Sequence, residues 1–300
     1  MTTRTVLRQL LSAGEMFYAP GVYDGISAHL VQQAGFSAAY MTGAGTAASL
    51  TGMPDLGLTT LTEMAGQASR LASAIDIPLI ADADTGYGNA LHVYRTVREY
   101  ERAGVAALHI EDQVFPKRCG HLAGKQVIPA GEFAAKIRAA VDARTDPELV
   151  IIARTDARAP LGFDAAIERA NRYAEAGADV IFVEAPQTAE EIERIPKEVA
   201  APVMFNLVAG GRTPRVDPGR LRGMGYAFAI VPGACMGAAA AAIRENLARL
   251  MQSGEPDYDR ELSPAELFSA VGLDFWARLR ERYATVETAP GEAADSGQSG

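Results

Sequence analysis

Cysteine and histidine are scarce in this chain, with two cysteines and four histidines in 300 residues. Cys119 and Cys235 stand far apart, with no CxxC or His-rich metal spacing around them. That excludes a disulfide framework and a thiolate zinc site, and it suits a reducing compartment. Long apolar runs are missing as well, the longest being shorter than a membrane span. The opening segment, MTTRTVLRQLLSAGEMF, lacks the apolar core and small-residue cleavage site of a signal peptide. A cytoplasmic protein is therefore expected. An excess of positive charge is also absent. The net charge of −9 argues against nucleic acid or an anionic membrane as the main partner. An anionic small molecule stays compatible, because local cations and a metal decide its binding. Finally, no GxGxxG follows an early apolar run, which disfavours a doubly wound dinucleotide-binding sheet.

What is present is a regular alternation. Short apolar segments at 16–20, 38–42, 78–81, 106–110, 149–153, 180–183, 202–205 and 227–231 read as strands. Helical spacing follows at 21–35, 61–74, 90–103, 133–143, 164–176, 189–199 and 238–251, with a short helix near Leu221 and another over 5–13. Pro196 is expected to interrupt the 189–199 helix, the 38–42 strand opens into a glycine turn at Gly43-Ala-Gly45, and the Gly- and Pro-punctuated stretch 51–57 reads as a loop. Eight such units have the period of an α/β fold of the (β/α)8 TIM-barrel type, over 1–254. A helical extension over 255–284, with one amphipathic helix at 264–283, is surplus to the barrel and is expected to pack on it or on a neighbouring subunit. The tail, 285–300, has the composition of disorder.

Nearly every strand ends in a polar residue: Asp24 just past the first, then Thr42, Asp82, Glu111, Arg154, Glu184 and Asn206. In a barrel these converge on one rim, where active sites of the fold lie. Asp82 and Asp84 are expected on one side of their strand, where they repel unless a cation intervenes. With Glu111 and Asp55 they form an all-oxygen set that suits Mg²⁺, or Mn²⁺, better than Zn²⁺. Helix capping is the plainer alternative. The strand at 106–110 runs into a loop holding Lys117, Arg118, Cys119 and His121. The cations are expected to lower the thiol pKa and make Cys119 a proton donor or nucleophile. A half-buried cysteine beside a solvated basic loop is the alternative. His121 is a candidate proton partner or loop hydrogen-bonder, and His109 reads as structural. Arg154 and Asn206 offer donors to a carboxylate or enolate, and Arg154 could also pair with Glu184. Thr42, Gly43 and Ala44 offer backbone N–H groups at a glycine turn. Tyr40, Asp82, Glu184 and Thr213 complete the candidate substrate-binding set. A metal-chelated 2-hydroxy or 2-oxo carboxylate beside a thiol acid describes retro-aldol, Claisen-type cleavage.

Pro54-Asp-Leu-Gly57, Asp82-Ala-Asp-Thr-Gly-Tyr-Gly88, Glu111-Asp-Gln113, Lys117-Arg-Cys-Gly-His121 and Ala153-Arg-Thr-Asp156 resemble the isocitrate lyase/phosphoenolpyruvate mutase superfamily over roughly residues 18–250. The resemblance implies a (β/α)8 barrel and Mg²⁺ held directly or through water by Asp55, Asp82, Asp84 and Glu111. It also implies Cys119 as acid/base on a mobile loop, and a homotetramer exchanging C-terminal helices. Three branches are similar: the 2-methylisocitrate lyases, the 2,3-dimethylmalate lyase/oxaloacetate hydrolase group and the carboxyphosphonoenolpyruvate mutases. The segments 115–125 and 154–160 lean to the last two. Two departures stand out. Ala209 replaces a Glu in an Asn-x-x-Glu-Gly-Gly pattern, and Pro232-Gly-Ala-Cys-Met-Gly237 stands where methylisocitrate lyases resemble Pro-Leu-Ser-x-x-Arg. The expected activity is an Mg²⁺-dependent carbon–carbon lyase acting on a substituted malate or methylisocitrate-like acid. The alternatives are a phosphonomutase or oxaloacetate hydrolase on the same scaffold, and an inactive barrel that only binds a dicarboxylate.

Overall fold

The computed structural model describes residues 1–258 and 261–284. The chain divides into two compact units, Met1–Asp257 and the part from Tyr258 onward. In the first unit eight parallel strands close into a barrel in sequential order. They are β1 (Phe17–Val22), β2 (Ala39–Met41), β3 (Leu79–Asp82), β4 (Ala107–Glu111), β5 (Val150–Thr155), β6 (Val180–Val183), β7 (Val203–Asn206) and β8 (Phe228–Val231). Closure comes from β1 against β8, with Phe17 opposite Phe228 and Pro20 opposite Val231. The helices are α1 (Thr3–Ser12), α2 (Gly25–Gln33), α3 (Gly43–Thr51), α4 (Leu61–Ala74), α5 (Ala90–Ala103), α6 (Ala130–Ala143), α7 (Arg158–Leu161), α8 (Phe163–Glu175), α9 (Ala189–Glu198), α10 (Pro218–Gly223) and α11 (Met236–Ser253). The expected barrel is thus the observed one. Among the described residues no helix is long and apolar enough to cross a membrane.

Strand alternation sorts the core into two layers. Alternate residues such as Ala81, Leu108, Ile151 and Ile181 face the helices. Phe17, Ile80, Ile152, Phe182 and Phe228 fill the barrel interior together with Leu7 of α1. Leu7 is 1% exposed. Helix α1 is fastened where the strands begin: Arg4 donates to the Val105 carbonyl at 3.0 Å, and Arg8 to the Leu149 carbonyl at 3.2 Å. Arg4 pairs with Asp146 at 2.8 Å and Arg8 with Asp179 at 2.9 Å. The helix therefore closes the end of the barrel opposite the carboxylate-bearing rim.

Three elements differ from expectation. Residues 43–51 form helix α3, where only a glycine turn at 43–45 was expected, because both ends are capped. The Thr42 hydroxyl accepts from the Gly45 N–H, and Gly52 closes the helix at φ +67°. Its glycines answer to close packing: a Cβ at Gly45 would lie 2.6 Å from Thr42 Cγ2, and one at Gly43 would collide with the Asp82 carboxylate. The single helix expected over 264–283 is two, α12 (Pro264–Ala270) and α13 (Leu273–Arg282), separated at Gly272 with φ +89°. The disorder expected over 285–300 lies outside the described residues. Pro196 sits inside α9 without ending it. A proline there removes the N–H that would bond the Ile192 carbonyl, and the Tyr226 hydroxyl donates to that carbonyl instead, at 2.8 Å. Tyr226→Phe is expected to cost about 1–3 kcal/mol by leaving that carbonyl without its donor. Urea unfolding of the two proteins measures the difference, and equal midpoints would show that the bond contributes nothing.

Candidate active site

The polar residues at the strand ends meet at one rim, but the turns after the strands do as much placing as the strands. Strand β3 stops at Asp82, and Asp84 follows in the left-handed region at φ +46°. Its backbone N–H donates to Asp82 Oδ1 at 2.9 Å. Alternation along the strand therefore does not bring the two carboxylates together; a turn held by Asp82 itself does. Asp24 belongs to another class. It caps α2, accepting from the Ser27 N–H at 2.8 Å.

The loop after β4 is pinned at both ends. The Gln113 side chain brackets Arg118, donating to its carbonyl at 2.8 Å and accepting from its N–H at 3.0 Å. Lys125 at the far end pairs with Asp156 at 2.6 Å, both fully buried. Lys117 turns inward to Asp55 and lies 2.7 Å from Asp84. Burial works against its charge, but the carboxylates of Asp84, Glu111, Asp82 and Asp55 outweigh it and keep the ammonium protonated. Arg118 is exposed, and its guanidinium donates to the Ala123 carbonyl.

Neither loop cation therefore serves the thiol in the way expected from the sequence. Burial pushes the half-buried Cys119 up from the ordinary thiol value, against a hydrogen bond from the His121 backbone and the pull of Arg154. The expected lowering is overturned because Lys117 is spent on Asp55 and Asp84 while Arg118 faces solvent. A thiol that keeps its proton at neutral pH suits an acid better than a nucleophile.

Arg154 is the most heavily paired group at the rim. It forks onto Asp156 at 2.8 and 3.2 Å, and lies 3.2 Å from Glu111 and 3.6 Å from Glu184. Its guanidinium also stacks over Phe182, 5.0 Å from the ring centre. Asp156 is a partner that strand-end reasoning passed over. Burial works against its carboxylate, yet Arg154 and Lys125 outweigh that and hold it below the usual range. Glu184 is buried against the Asn206 amide at 3.2 Å and His121 Nε2 at 3.4 Å. His109 is fully buried, 2.9 Å from the Tyr40 hydroxyl and stacked on that ring, with Nε2 3.7 Å from Asp82 Oδ1.

These groups open onto a cavity of about 470 Å³. Tyr40, Thr42, Ala44, Asp55 and Asp82 line it, and so do Cys119, His121, Arg154, Glu184 and Asn206. Gly43 backs onto Asp82 from behind, while Asp84, Glu111 and Lys117 lie buried outside the lining. Thr213 does not reach the cavity. The chain turns at Gly210, φ +70°, and Thr213 lines, with Arg215, an adjoining cavity of about 640 Å³ that shares Asn206, Leu207, Val208 and Ala209 with the first. Two further features shape the site. A Cβ at Gly120 would collide with Glu184 Oε1 and lie 2.5 Å from Arg154, so the glycine between Cys119 and His121 is what lets the loop close on that pair. The second is an apolar wall from residues 207–209, 231–234 and 236–237, including Leu207, Val208 and Met236.

The donor set can be tested against a divalent metal. Both Glu111 carboxylate oxygens are buried without a hydrogen bond. Burial pushes the Glu111 pKa well above its ordinary value, Arg154 pulling the other way. That is the condition a nearby cation relieves. Among the described residues no three His, Cys, Asp or Glu side chains form a ready-made cage. Mg²⁺ usually takes one or two carboxylates and completes its shell with water and substrate. The residues fit the ion on those terms.

The phosphoenolpyruvate phosphomutase family model matches residues 7–251. The chain belongs to the phosphoenolpyruvate mutase/isocitrate lyase superfamily. It is 43% identical over 287 residues to the 2,3-dimethylmalate lyase of Eubacterium barkeri, covering 95% of this chain and 99% of that one. It is 44% identical over 294 residues to the chloroplastic carboxyvinyl-carboxyphosphonate phosphorylmutase of Arabidopsis thaliana, covering 96% and 87%. Identity is also 44%, over 269 residues, to the 2-methylisocitrate lyase of Aeropyrum pernix, covering 89% and 86%. A solved oxaloacetate acetylhydrolase in complex with 3,3-difluorooxalacetate superposes with a TM-score of 0.90 at 40% identity, covering 94% of this chain and 97% of that one. The chain is thus an enzyme of this superfamily, and identity alone does not choose among its branches.

The thiol direction yields a test. Because the Cys119 pKa lies above the ordinary value of about 8.5, the reactive thiolate appears only at higher pH. Iodoacetamide labelling of Cys119, read by peptide mass spectrometry, is expected to keep rising above pH 9. A plateau below pH 8 would mean that the cations dominate after all.

Proposed function

We propose that this protein is an Mg²⁺-dependent carbon–carbon lyase that cleaves a substituted malate, a 2-hydroxy dicarboxylate with an apolar substituent. The products are a 2-oxo acid such as pyruvate and a smaller carboxylic acid. The observation that carries this reading is the mixed character of the 470 Å³ cavity. Its lining combines carboxylates, Arg154 and Asn206 with uncharged stretches from 207–209, 231–234 and 236–237.

The polar groups hold the two carboxylates and the hydroxyl. Arg154 is pre-oriented by the Asp156 fork, and the Asn206 amide is within reach of the same space. In the reaction the C2 hydroxyl gives its proton to a rim carboxylate and the C2–C3 bond breaks. C2 becomes the carbonyl of the 2-oxo acid, and C3 leaves as the enediolate of the smaller acid. Cys119 gives that carbon its proton and is reprotonated from solvent before the next turnover. A bound Mg²⁺, with Asp82, Asp84, Glu111 and Asp55 as its candidate ligands, supplies positive charge against the charge that develops on the substrate oxygens.

The apolar wall sets the substituent. Arg154 is the one Lys or Arg among the residues lining the cavity, and it is already committed to three carboxylates. The third carboxylate of a tricarboxylate would lie unpaired, at a cost of several kcal/mol. The dimethylmalate lyase relative supports the same choice. The phosphonomutase reading is supported by the similarity to the phosphorylmutase, but its more highly charged substrate meets the same uncharged wall. The homotetramer with exchanged C-terminal helices belongs to the proposal as well. Phe268, Phe275 and Trp276 are all more than half exposed, and burial between subunits would remove that apolar area from water.

Two measurements test the reading. Purified protein is given alkylmalates, isocitrates, oxaloacetate and a phosphonopyruvate with Mg²⁺, and pyruvate formation is coupled to a dehydrogenase. Alkylmalate cleavage is expected, abolished by exhaustive chelation and restored by Mg²⁺; full turnover in metal-free protein would refute the metal requirement. In the same assay, kcat/KM for 2,3-dimethylmalate should exceed that for 2-methylisocitrate by about tenfold or more, since about 1.4 kcal/mol is a factor of ten. A preference for the tricarboxylate would mean that another cation enters the site.

A further inference from the structure

The loop that carries Cys119 is gripped from outside by the loop after β7. The Arg212 backbone N–H donates to His121 Nδ1 at 3.2 Å, and its side-chain Nε donates to the His121 carbonyl at 3.2 Å. At the neighbouring Gly211 an added Cβ would lie 2.6 Å from His121 Nδ1, so the Gly211 backbone packs against the imidazole ring at a distance that leaves no room for a side chain. An Nδ1 that accepts a hydrogen bond leaves the proton of the neutral ring on Nε2. That nitrogen faces Glu184 Oε1 at 3.4 Å. The main chain of His121 stands two residues beyond the thiol in the same turn. The Leu122 N–H closes the turn onto the Cys119 carbonyl at 2.9 Å.

We infer that Gly211 and Arg212 form a clasp that fixes His121 as its Nε2–H tautomer and, through the His121 backbone, holds the Cys119 thiol at the cavity. Arg212 is then a positioning residue: its side chain is exposed and it does not line the cavity. The catalytic half of this inference rests on the role proposed above for Cys119, whereas the structural half does not.

The experiment uses the full chain and three variants. Arg212→Ala removes the bond to the His121 carbonyl. Gly211→Ala crowds the ring, and it does so without backbone strain because Gly211 is not in the left-handed region. Arg212→Gln keeps a side-chain donor. The first readout needs no substrate: the iodoacetamide labelling rate of Cys119 at one pH, with Cys235 as internal reference. Losing one hydrogen bond corresponds to about threefold to tenfold in an opening equilibrium. Arg212→Ala and Gly211→Ala are expected to raise the Cys119 rate by that factor and leave Cys235 unchanged, with Arg212→Gln returning toward the parent. The second readout is kcat on the best substrate of the panel. It should fall about tenfold or more in the two disruptive variants, with KM moving less, because a displaced acid slows the step more than it weakens binding. Unchanged unfolding temperatures confirm that the variants are folded. An unaltered Cys119-to-Cys235 labelling ratio in both disruptive variants overturns the clasp. If the parent turns over nothing in the panel but labelling responds, the clasp stands and the lyase reading falls.

Discussion

The rim is organised by the guanidinium of Arg154. It is buried, and a buried cation persists only where carboxylates surround it. Asp156 takes it side-on, Glu111 lies against Nε and Glu184 against the other end. Three strands are thereby tied together at their carboxyl ends: β4 through Glu111, β5 through Arg154, and β6 through the residue that follows it. The same group draws in the loop, because Lys125 completes Asp156 and Gly120 fits between Arg154 and Glu184. Few of these contacts could be altered singly without leaving a buried charge unpaired.

A second balance sits beside it and does not close internally. Around Lys117 the carboxylates of Asp55, Asp82, Asp84 and Glu111 outnumber the cation, and both Glu111 oxygens have no hydrogen bond. Burial pushes Asp84 up to about 6, with Lys117 opposing and Asp82 reinforcing the rise. Surplus buried negative charge is costly on its own terms. The imbalance is the physical content behind the proposed divalent ion.

Much of this was legible in the sequence, and the parts that were not have particular causes. The helices at 61–74 and 90–103 and the strand at 180–183 fall where their periodicity puts them, because each is bounded by its own cap or turn. Helix α3 was hidden because its glycines answer to Asp82 and Thr42, neighbours that only the fold supplies. The break at Gly272 had the opposite cause, an apolar pattern that runs through a residue with left-handed backbone. At the site, residues ending strands were readable from position, whereas pairings were not. Nothing local says that Lys117 turns to Asp55 rather than to the thiol two residues away, or that Arg154 takes Asp156 before Glu184. Thr213 falls outside the cavity lining for a similar reason, a turn at Gly210 whose direction depends on packing.

The closed end of the barrel has a consequence for traffic. Leu7 and the phenylalanines above it leave no passage through the interior, so every molecule that enters at the rim must leave by the rim. A cleavage reaction turns one guest into two, and the two must queue at a single door beneath the Cys119 loop. Under the proposed cleavage, the fragment nearer the mouth would depart first and one held against Arg154 and the carboxylates last. That last fragment occupies the ground the next substrate needs and competes with it directly, whereas the first meets an enzyme still holding its sibling. The order of exit is thus written into which end of the barrel α1 stoppers.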